Sequence, residues 1–307
     1  MKTIITTGNT YVDIDALACA IAYRDFLKAK NVDCEVVFTA QLNETVSKTI
    51  KSWELNYKIA INNNGMGLNF VIVDCANPKV LPEFVRLDKT LEVYDHHFSD
   101  ESELWNGTGA EVKIEKVGAC ATLIWEKIRS EKLESKISQV GLDLLYIAIF
   151  ANTLNFESSV TTERDKKAFQ ELKDLVSLDE KWIAKYYQEI ESSMLDNPKE
   201  AIKNDTKILE FPNLNLKIAI GQIELWNSKE FISKNENSII EALESFGIED
   251  WFFTSPSISE GKNYIYTQSP KVSKLLEQYI GVQFKGNWGE TDKLWLRKEI
   301  LRKLLEI

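Results

Sequence analysis

Histidine is the rarest residue type in this chain. There are two in 307 residues, and they are adjacent, His96 and His97. Cysteine is nearly as scarce: Cys19, Cys34, Cys75 and Cys120 form no Cys-x-x-Cys pair and no tight cluster. That usage predicts reduced thiols in a cytoplasmic protein rather than a disulfide framework. Positive charge is in deficit. Lys and Arg total 37 against 47 Asp and Glu, a formal net charge of −10, which argues against a nucleic-acid duplex as partner. A small anionic substrate stays compatible with that balance, because a metal or a local basic site can override a negative whole. No apolar run approaches the length of a membrane span, and the first residues enter a strand with no signal peptide ahead of them, so neither membrane nor secretion is expected. There is no low-complexity tract and no internal repeat.

What remains is an ordinary soluble composition, 44% hydrophobic and 27% charged, long enough for two domains or one large one. The first half alternates strands with helices. Thr3–Thr7 reads as a buried strand, broken at Gly8-Asn9, and Ala16–Lys30 follows as a helix with Leu17, Ile21, Phe26 and Leu27 at helical spacing. Cys34–Phe38 is a second strand and Asn43–Trp53 is expected to be helical. Phe70-Val71-Ile72-Val73-Asp74 is a third strand, and Leu91–Tyr94 a fourth, ending on Asp95. Continuous apolar runs of this kind suit a parallel sheet covered on both faces, and the order predicts a doubly wound α/β domain. Helices are expected from Val117-Gly118 through Arg129, at Ile137–Asn152, from Thr161–Asp165 to about Val176, and at Asp179–Met194.

Three of the strands are followed by acids. Asp13 and Asp15 follow the first, Asp74 ends the third, and Asp95-His96-His97 ends the fourth. Helix capping explains one Asp at a helix N-terminus. It does not explain the repetition. If the strands are parallel, these groups gather at one edge of the sheet as a pocket rich in oxygen and imidazole donors, suited to two divalent cations. Adjacent residues at a strand end point to opposite sides, so one imidazole can bind a metal while the other faces a ligand. The Gly-led helix opening at Val117-Gly118-Ala119-Cys120 can receive an anion on its free N–H groups.

In the second half, the polar run Asp196-Asn197-Pro198-Lys199-Glu200 predicts a linker. The expected division is 1–194, a linker at 195–206, and a smaller α/β domain at 207–307. Strands are expected at Leu216–Ile223, Trp251–Ser255 and Tyr264–Thr267, and helices at Lys229–Phe246 and Pro270–Tyr279, the latter with proline at its first position.

These motifs, in this order, resemble the DHH phosphoesterase superfamily across nearly the whole chain. Gly8-Asn9-x-x-x-Asp13-x-Asp15, Val73-Asp74, Asp95-His96-His97, Val117-Gly118 and the segment Asn152–Phe156 with Thr161–Asp165 carry the resemblance. It is similar to the DHH/DHHA2 branch that holds manganese-dependent family II inorganic pyrophosphatases and exopolyphosphatases, and the Gly-Asn opening resembles the exopolyphosphatase and prune-type members. The other branch carries a Gly-Gly-Gly-His motif, which a chain without a third histidine cannot contain. The resemblance implies a DHH metal-binding domain followed by a DHHA2 domain. It implies that position 9, Asp13 and Asp74 hold one cation, and that Asp15, Asp74, His96 and position 152 hold a second, with His97 facing the substrate phosphate. Here position 9 is Asn9, where pyrophosphatases have His, and position 152 is Asn152, where Asp is usual. Cys75 stands where pyrophosphatases usually carry His. In the tail, Arg297-Lys298 matches the Arg-Lys of the DHHA2 phosphate-binding motif, with Leu296 replacing its Ser, and Lys217 is the candidate strand lysine.

The implied activity is metal-dependent hydrolysis of a phosphoanhydride, releasing phosphate from short polyphosphate. The implied cofactor is Mn²⁺, or Mg²⁺ or Co²⁺, two per chain. Asp74 and His97 are the implied catalytic residues, and His97, Lys217, Arg297 and Lys298 the implied substrate-binding ones, with a homodimer possible. Two alternatives stand beside it: an inorganic pyrophosphatase, and a catalytically weakened relative that binds a phosphorylated ligand.

Overall fold

A computed structural model describes residues 1–59, 66–97, 100–179 and 181–305, the side chains at 100–102, 193, 194 and 298 excepted. The chain divides into two compact units, Met1–Phe156 with Val160–Ile183, and Glu157–Ser159 with Ala184–Ile307.

The first unit is built on a parallel sheet of six strands: β1 (Lys2–Thr6), β2 (Cys34–Phe38), β3 (Lys58–Ile59), β4 (Leu68–Val73), β5 (Thr90–Asp95) and β6 (Glu111–Ile114), in the order β3-β2-β1-β4-β5-β6. Every strand pair in it is parallel. The three acid-ended runs are therefore neighbours, and their carboxyl ends share one edge. From β1 the chain winds outward to β2 and β3 on one side, then returns to β4 on the other. The order reverses between β1 and β4, the position where open α/β sheets bind ligands. The apolar runs are buried as a two-sided sheet requires: Phe70, Val71, Ile72 and Val73 are all 0% exposed. On one side α1 (Ile14–Ala29), α3 (Cys120–Ser130), α4 (Gln139–Asn152) and α5 (Glu163–Lys173) pack against one another. On the other, Ile4, Phe70, Ile72 and Val93 meet Leu81, Phe84 and Trp105 from the connections flanking β5.

The expected helix at Asn43–Trp53 is reduced to α2, Lys48–Lys51. The Asn43 side chain accepts from the Thr45 amide at 2.9 Å and closes a local turn, an alternative to helix that asparagine offers its own backbone. Ser47 then caps the short helix by accepting from the Ile50 amide. Strands β3 and β6, short and at the sheet edges, carried no apolar run to announce them.

The run read as a linker is helical. α6 (Trp182–Asp196) is followed at once by α7 (Pro198–Asn204), with Asn197 as cap and Pro198 in the first turn, where its missing N–H costs nothing. Ile202 of α7 is fully buried in a core cluster with Ala219 and Leu243. The two compact units divide at Ile183 and Ala184, near the start of α6, rather than within 195–206.

The second unit holds a mixed sheet, β7 (Thr206–Phe211), β8 (Leu216–Gln222), β9 (Asp250–Ser257), β10 (Lys262–Tyr266), β11 (Gln283–Lys285) and β12 (Trp288–Glu290), ordered β11-β12-β10-β9-β8-β7. Side chains alternate between its faces. Ala219 and Phe253 pack under α8 (Ser228–Glu244), whereas Ile218, Ile220 and Phe252 pack under α9 (Pro270–Ile280) and α10 (Arg297–Leu305). Among the described residues no helix is long and apolar enough to cross a membrane.

Candidate metal centre

Asp13 and Asp15 open α1 but do different jobs. Asp13 is the N-cap and accepts from the Ala16 amide at 2.9 Å, as a capping aspartate should. Asp15 is 0% exposed and reaches out of its own helix. Its oxygens accept from the backbone amides of Cys120 at 2.7 Å and Ala121 at 2.8 Å, the first turn of α3. Ala119, the cap position of α3, has no side-chain acceptor. Asp15 therefore caps α3 from α1, satisfying two amides that would otherwise be orphaned. The helix opening at Val117-Gly118, read from sequence as a receptor for an external anion, is occupied by this carboxylate. Burial, and then the charge of Asp13, push the Asp15 pKa up to about 7, against the pull of the two amides.

Asp74 lies immediately past β4 in a left-handed conformation, φ 55°, with its amide donating to the Tyr94 carbonyl at 2.8 Å. A non-glycine residue there carries strain of roughly 1–2 kcal/mol. The bend turns a carboxylate that is 9% exposed into the sheet edge. Burial, Asp15 and Asp13, in that order, hold its pKa well above the usual carboxylate range. Among the described residues its Oδ1 is buried without a hydrogen-bond donor.

His96 and His97 differ in burial but do not point to opposite sides as the strand-end reading expected: both lie past the end of β5, their ring centroids are 4.4 Å apart, and both face Asp74. His96 is mostly buried, and its Nδ1 lies 3.1 Å from the Val117 carbonyl. A carbonyl only accepts, so Nδ1 carries the proton and Nε2 keeps its lone pair. That Nε2 is 3.5 Å from Asp74 Oδ1 and 3.7 Å from Asp15 Oδ2. Burial and His97 push the His96 pKa down to about 4, so the ring is neutral. His97 has a side chain 63% exposed; its Nδ1 lies 2.8 Å from Asp95 Oδ1 and 3.8 Å from Asp74 Oδ1. The Asp95 bond raises its pKa. Asp95 also accepts from the His96 and His97 amides, which locks the turn between the two rings.

Asp74, His96 and His97 thus offer ligand atoms within 4.8 Å of one another. The residues fit a divalent cation. An orphaned buried carboxylate oxygen faces a neutral imidazole lone pair, with Asp15 and Asp13 adjacent, and this donor set of carboxylate and imidazole suits Mn²⁺.

The two asparagines are oriented alike. Asn9 turns its Nδ2 toward the Leu81 carbonyl at 3.5 Å, and Asn152, the last residue of α4, donates Nδ2 to Ala148 at 3.2 Å. Each keeps a neutral side-chain oxygen as its remaining donor atom. Among the described residues neither hydrogen-bonds to another member of the site. Cys75 is buried with its Sγ 3.8 Å from the Asn77 carbonyl. Past Asn152 the chain takes three successive left-handed residues, Leu154, Asn155 and Phe156, at φ 49°, 53° and 71°.

In the second unit, Arg297 begins α10. Its amide donates to Gln222 Oε1 at 3.1 Å, and its guanidinium binds the Asp205 carboxylate at 2.7 Å. The Leu296 amide donates to Glu299, which does the capping that a Ser at 296 would share. The Lys298 side chain lies outside the described residues. Lys217 sits elsewhere: it is opposite Glu210 in the β7–β8 register and pairs with it at 3.3 Å, whereas Gln222 is at the far end of β8. Five residues of strand, about 16 Å, separate Lys217 from Gln222. Lys207, not singled out from sequence, is two residues from Asp205. It shares a face of β7 with Leu209 and Phe211, which pack in the cluster that contains Ile300 and Leu304 of α10. Nothing in the sequence singles it out, because β7 lacks the alternation that marks a strand.

Comparison with known proteins agrees with this architecture. Over 300 residues the chain is 24% identical to a probable manganese-dependent inorganic pyrophosphatase of Listeria monocytogenes, covering 94% of this chain and 92% of that one. It is 23% identical over 304 residues to a protein of the same description from Bacillus licheniformis, with the same shares covered. Its fold matches the crystal structure of a putative family II inorganic pyrophosphatase from Methanococcus jannaschii, at TM-score 0.63 and 21% identity, covering 100% of this chain and 99% of that chain. An exopolyphosphatase-related protein from Bacteroides fragilis matches at TM-score 0.53 and 14% identity, covering 99% of this chain and 92% of that one. Residues 3–149, which carry Asp13, Asp15, Asp74, His96 and His97, match the DHH family, N-terminal domain.

Proposed function

We propose that the protein is a manganese-dependent phosphoanhydride hydrolase that releases phosphate from short polyphosphate. The observation that carries this reading is Asp74 Oδ1: buried, without a hydrogen-bond donor among the described residues, and 3.5 Å from the free nitrogen of a neutral His96. Asp13, Asp15, Asp74 and His96 would hold the cations, with the oxygens of Asn9 and Asn152 as neutral donors. When bound, such cations supply a water of lowered pKa and withdraw charge from phosphoryl oxygens.

The rest is done by the chain's own side chains. Asp15, fixed by two backbone amides, cannot swing away from the site. The His96 ring is held in one tautomer by Val117. His97, exposed and held through Nδ1 by Asp95, would present its free ring edge to a phosphate oxygen. In the second unit, Arg297, whose guanidinium is paired with Asp205, Lys207 and Lys298 are the cationic groups that would meet phosphate, whereas Lys217, paired with Glu210 at the other end of β8, would not. Replacing one His and one Asp by asparagine removes a carboxylate from the donor set. This makes the loaded site more positive and favours the more highly charged polyphosphate over pyrophosphate.

The test is phosphate release from pyrophosphate and from tripolyphosphate, side by side, with Mn²⁺ or Mg²⁺ and with Asp74→Ala as control. Mutant-sensitive release favouring tripolyphosphate supports the proposal. A preference for pyrophosphate makes it a pyrophosphatase with an altered site. No release from either, with the protein folded, favours a relative that binds a phosphorylated ligand without cleaving it.

A further inference from the structure

Asp165 is fully buried and accepts four hydrogen bonds. Its Oδ2 accepts from the Thr162 amide at 2.7 Å while the Thr162 hydroxyl accepts from the Asp165 amide at 3.4 Å, which closes the capping box of α5, and the same hydroxyl donates to Oδ2 at 2.6 Å. The cap needs no more than this. Yet the same Oδ2 also accepts from the Gly118 amide at 2.8 Å, and Oδ1 accepts from the Thr122 hydroxyl at 2.6 Å. These two bonds leave α5 and grip the opening of α3 at both ends.

The residues between and beside those two grips hold the metal centre. The amides of Cys120 and Ala121 fix Asp15, and the carbonyl of Val117 fixes His96. From this connectivity we infer that Asp165 is a positioning residue for the metal centre, setting Asp15 and His96 together through the segment Val117–Thr122. The inference rests on the metal reading of the site given above.

Gly118 supports it independently. Its backbone is not in the left-handed region, so its conformation does not call for glycine. Space does. A Cβ there would stand 2.5 Å from Thr153 Cγ2 and 3.1 Å from Asp165 Oδ2. Glycine at 118 chiefly lets the segment pass Thr153, and it also leaves the Asp165 carboxylate room to reach the amide. Partners of metal ligands typically change metal affinity by about 10- to 100-fold when removed.

The experiment is Mn²⁺ affinity and stoichiometry by calorimetry at 15 °C, with thermal unfolding of the metal-free proteins alongside. The variants are Asp165→Ala, Asp165→Asn, and Asp143→Ala as control. Asp143 is a comparably buried carboxylate that accepts from the Ser177 amide and hydroxyl and touches no part of the centre. Asp165→Ala is expected to weaken Mn²⁺ binding at least about tenfold. Asp165→Asn keeps an acceptor for Gly118 and a donor to the Thr122 hydroxyl, and is expected to stay within about threefold of wild type, because geometry and not charge is being supplied. Asp143→Ala should lower the melting temperature and leave the affinity unchanged. Wild-type affinity in a folded Asp165→Ala overturns the inference. If Asp165→Ala does not fold, Gly118→Ala carries the test, with the same tenfold expectation and the same overturning result. A wild-type protein that binds no Mn²⁺ overturns the metal reading itself, and is told apart by that control alone.

Discussion

The Val117 carbonyl lies 3.1 Å from Nδ1 of His96 and leaves Nε2 as the ring's lone-pair nitrogen, 3.5 Å from Asp74 Oδ1. The two contacts make His96 a ligand that is oriented before any cation arrives. Replacing it with Ala should remove one Mn²⁺ from the stoichiometry or weaken it at least about a hundredfold, while the fold survives. Calorimetric titration of the metal-free protein reads both quantities, and wild-type binding by the variant would exclude His96 as a ligand.

Asp74 should be a site where function opposes stability. Its carboxyl is buried, strained, and crowded by Asp15 and Asp13. Asparagine tolerates the same left-handed backbone and carries no charge. Asp74→Asn should therefore raise the melting temperature of the metal-free protein by a few degrees, about 1 kcal/mol, while losing phosphate release. The sign with pH follows from a raised folded-state pKa: the wild-type charge is suppressed at low pH and forced on the fold at high pH. The gap between variant and wild type should widen from pH 5 to pH 8, as unfolding curves at several pH values will show.

Metal binding should release protons. In the metal-free protein Asp15 titrates at about 7, and a ligand carboxylate must be deprotonated to bind. Mn²⁺ affinity should therefore fall as pH drops below 7, by up to tenfold per unit for each proton displaced. A pH-independent affinity between 5.5 and 7 would contradict this. Where binding is saturating, at a hundred times the dissociation constant, it should add about 2.7 kcal/mol of stability.

Glu191 gives a second pH dependence, distinct from the centre. It is 8% exposed, accepts from the Trp226 amide, and burial raises its pKa from an ordinary 4.5 to about 7. The folded carboxyl keeps its proton to a higher pH than the unfolded one. Its stabilising contribution is therefore fully present below about pH 4.5 and is lost as pH rises through 7. Glu191→Gln keeps the acceptor and cannot ionise. It should match wild type below pH 4.5 and exceed it by about 1–3 kcal/mol above pH 7, measured by urea unfolding.

The two strand lysines should separate kinetically. Lys207 shares a face with the packing of α10, whereas Lys217 is paired with Glu210 at the other end of β8. With tripolyphosphate, Lys207→Ala should raise KM about tenfold or more, the loss of one charge-assisted contact, and Lys217→Ala less than about threefold. Equal effects would return Lys217 to the substrate side.

Much of this protein was legible in its sequence because the signals are local. Apolar runs ending in Asp74 and Asp95, with Asp13 and Asp15 after a Gly turn, are features of a few residues each, and parallel pairing then gathers them at one edge. Caps such as Asp13 and Thr162 are read over three or four residues. Where local signals compete, the reading failed: Asn43 closed a turn instead of starting a helix, and Pro198, a break by composition, became the first turn of α7. What tertiary structure alone decided is which partner each polar group meets. Asp15 caps a helix 105 residues away, His96 takes its tautomer from Val117, and Asp165 reaches back 47 residues to Gly118. No periodicity encodes such pairs. They are selected when the helices pack and water is excluded, because a buried carboxylate or amide left without its partner costs more than any local preference can return.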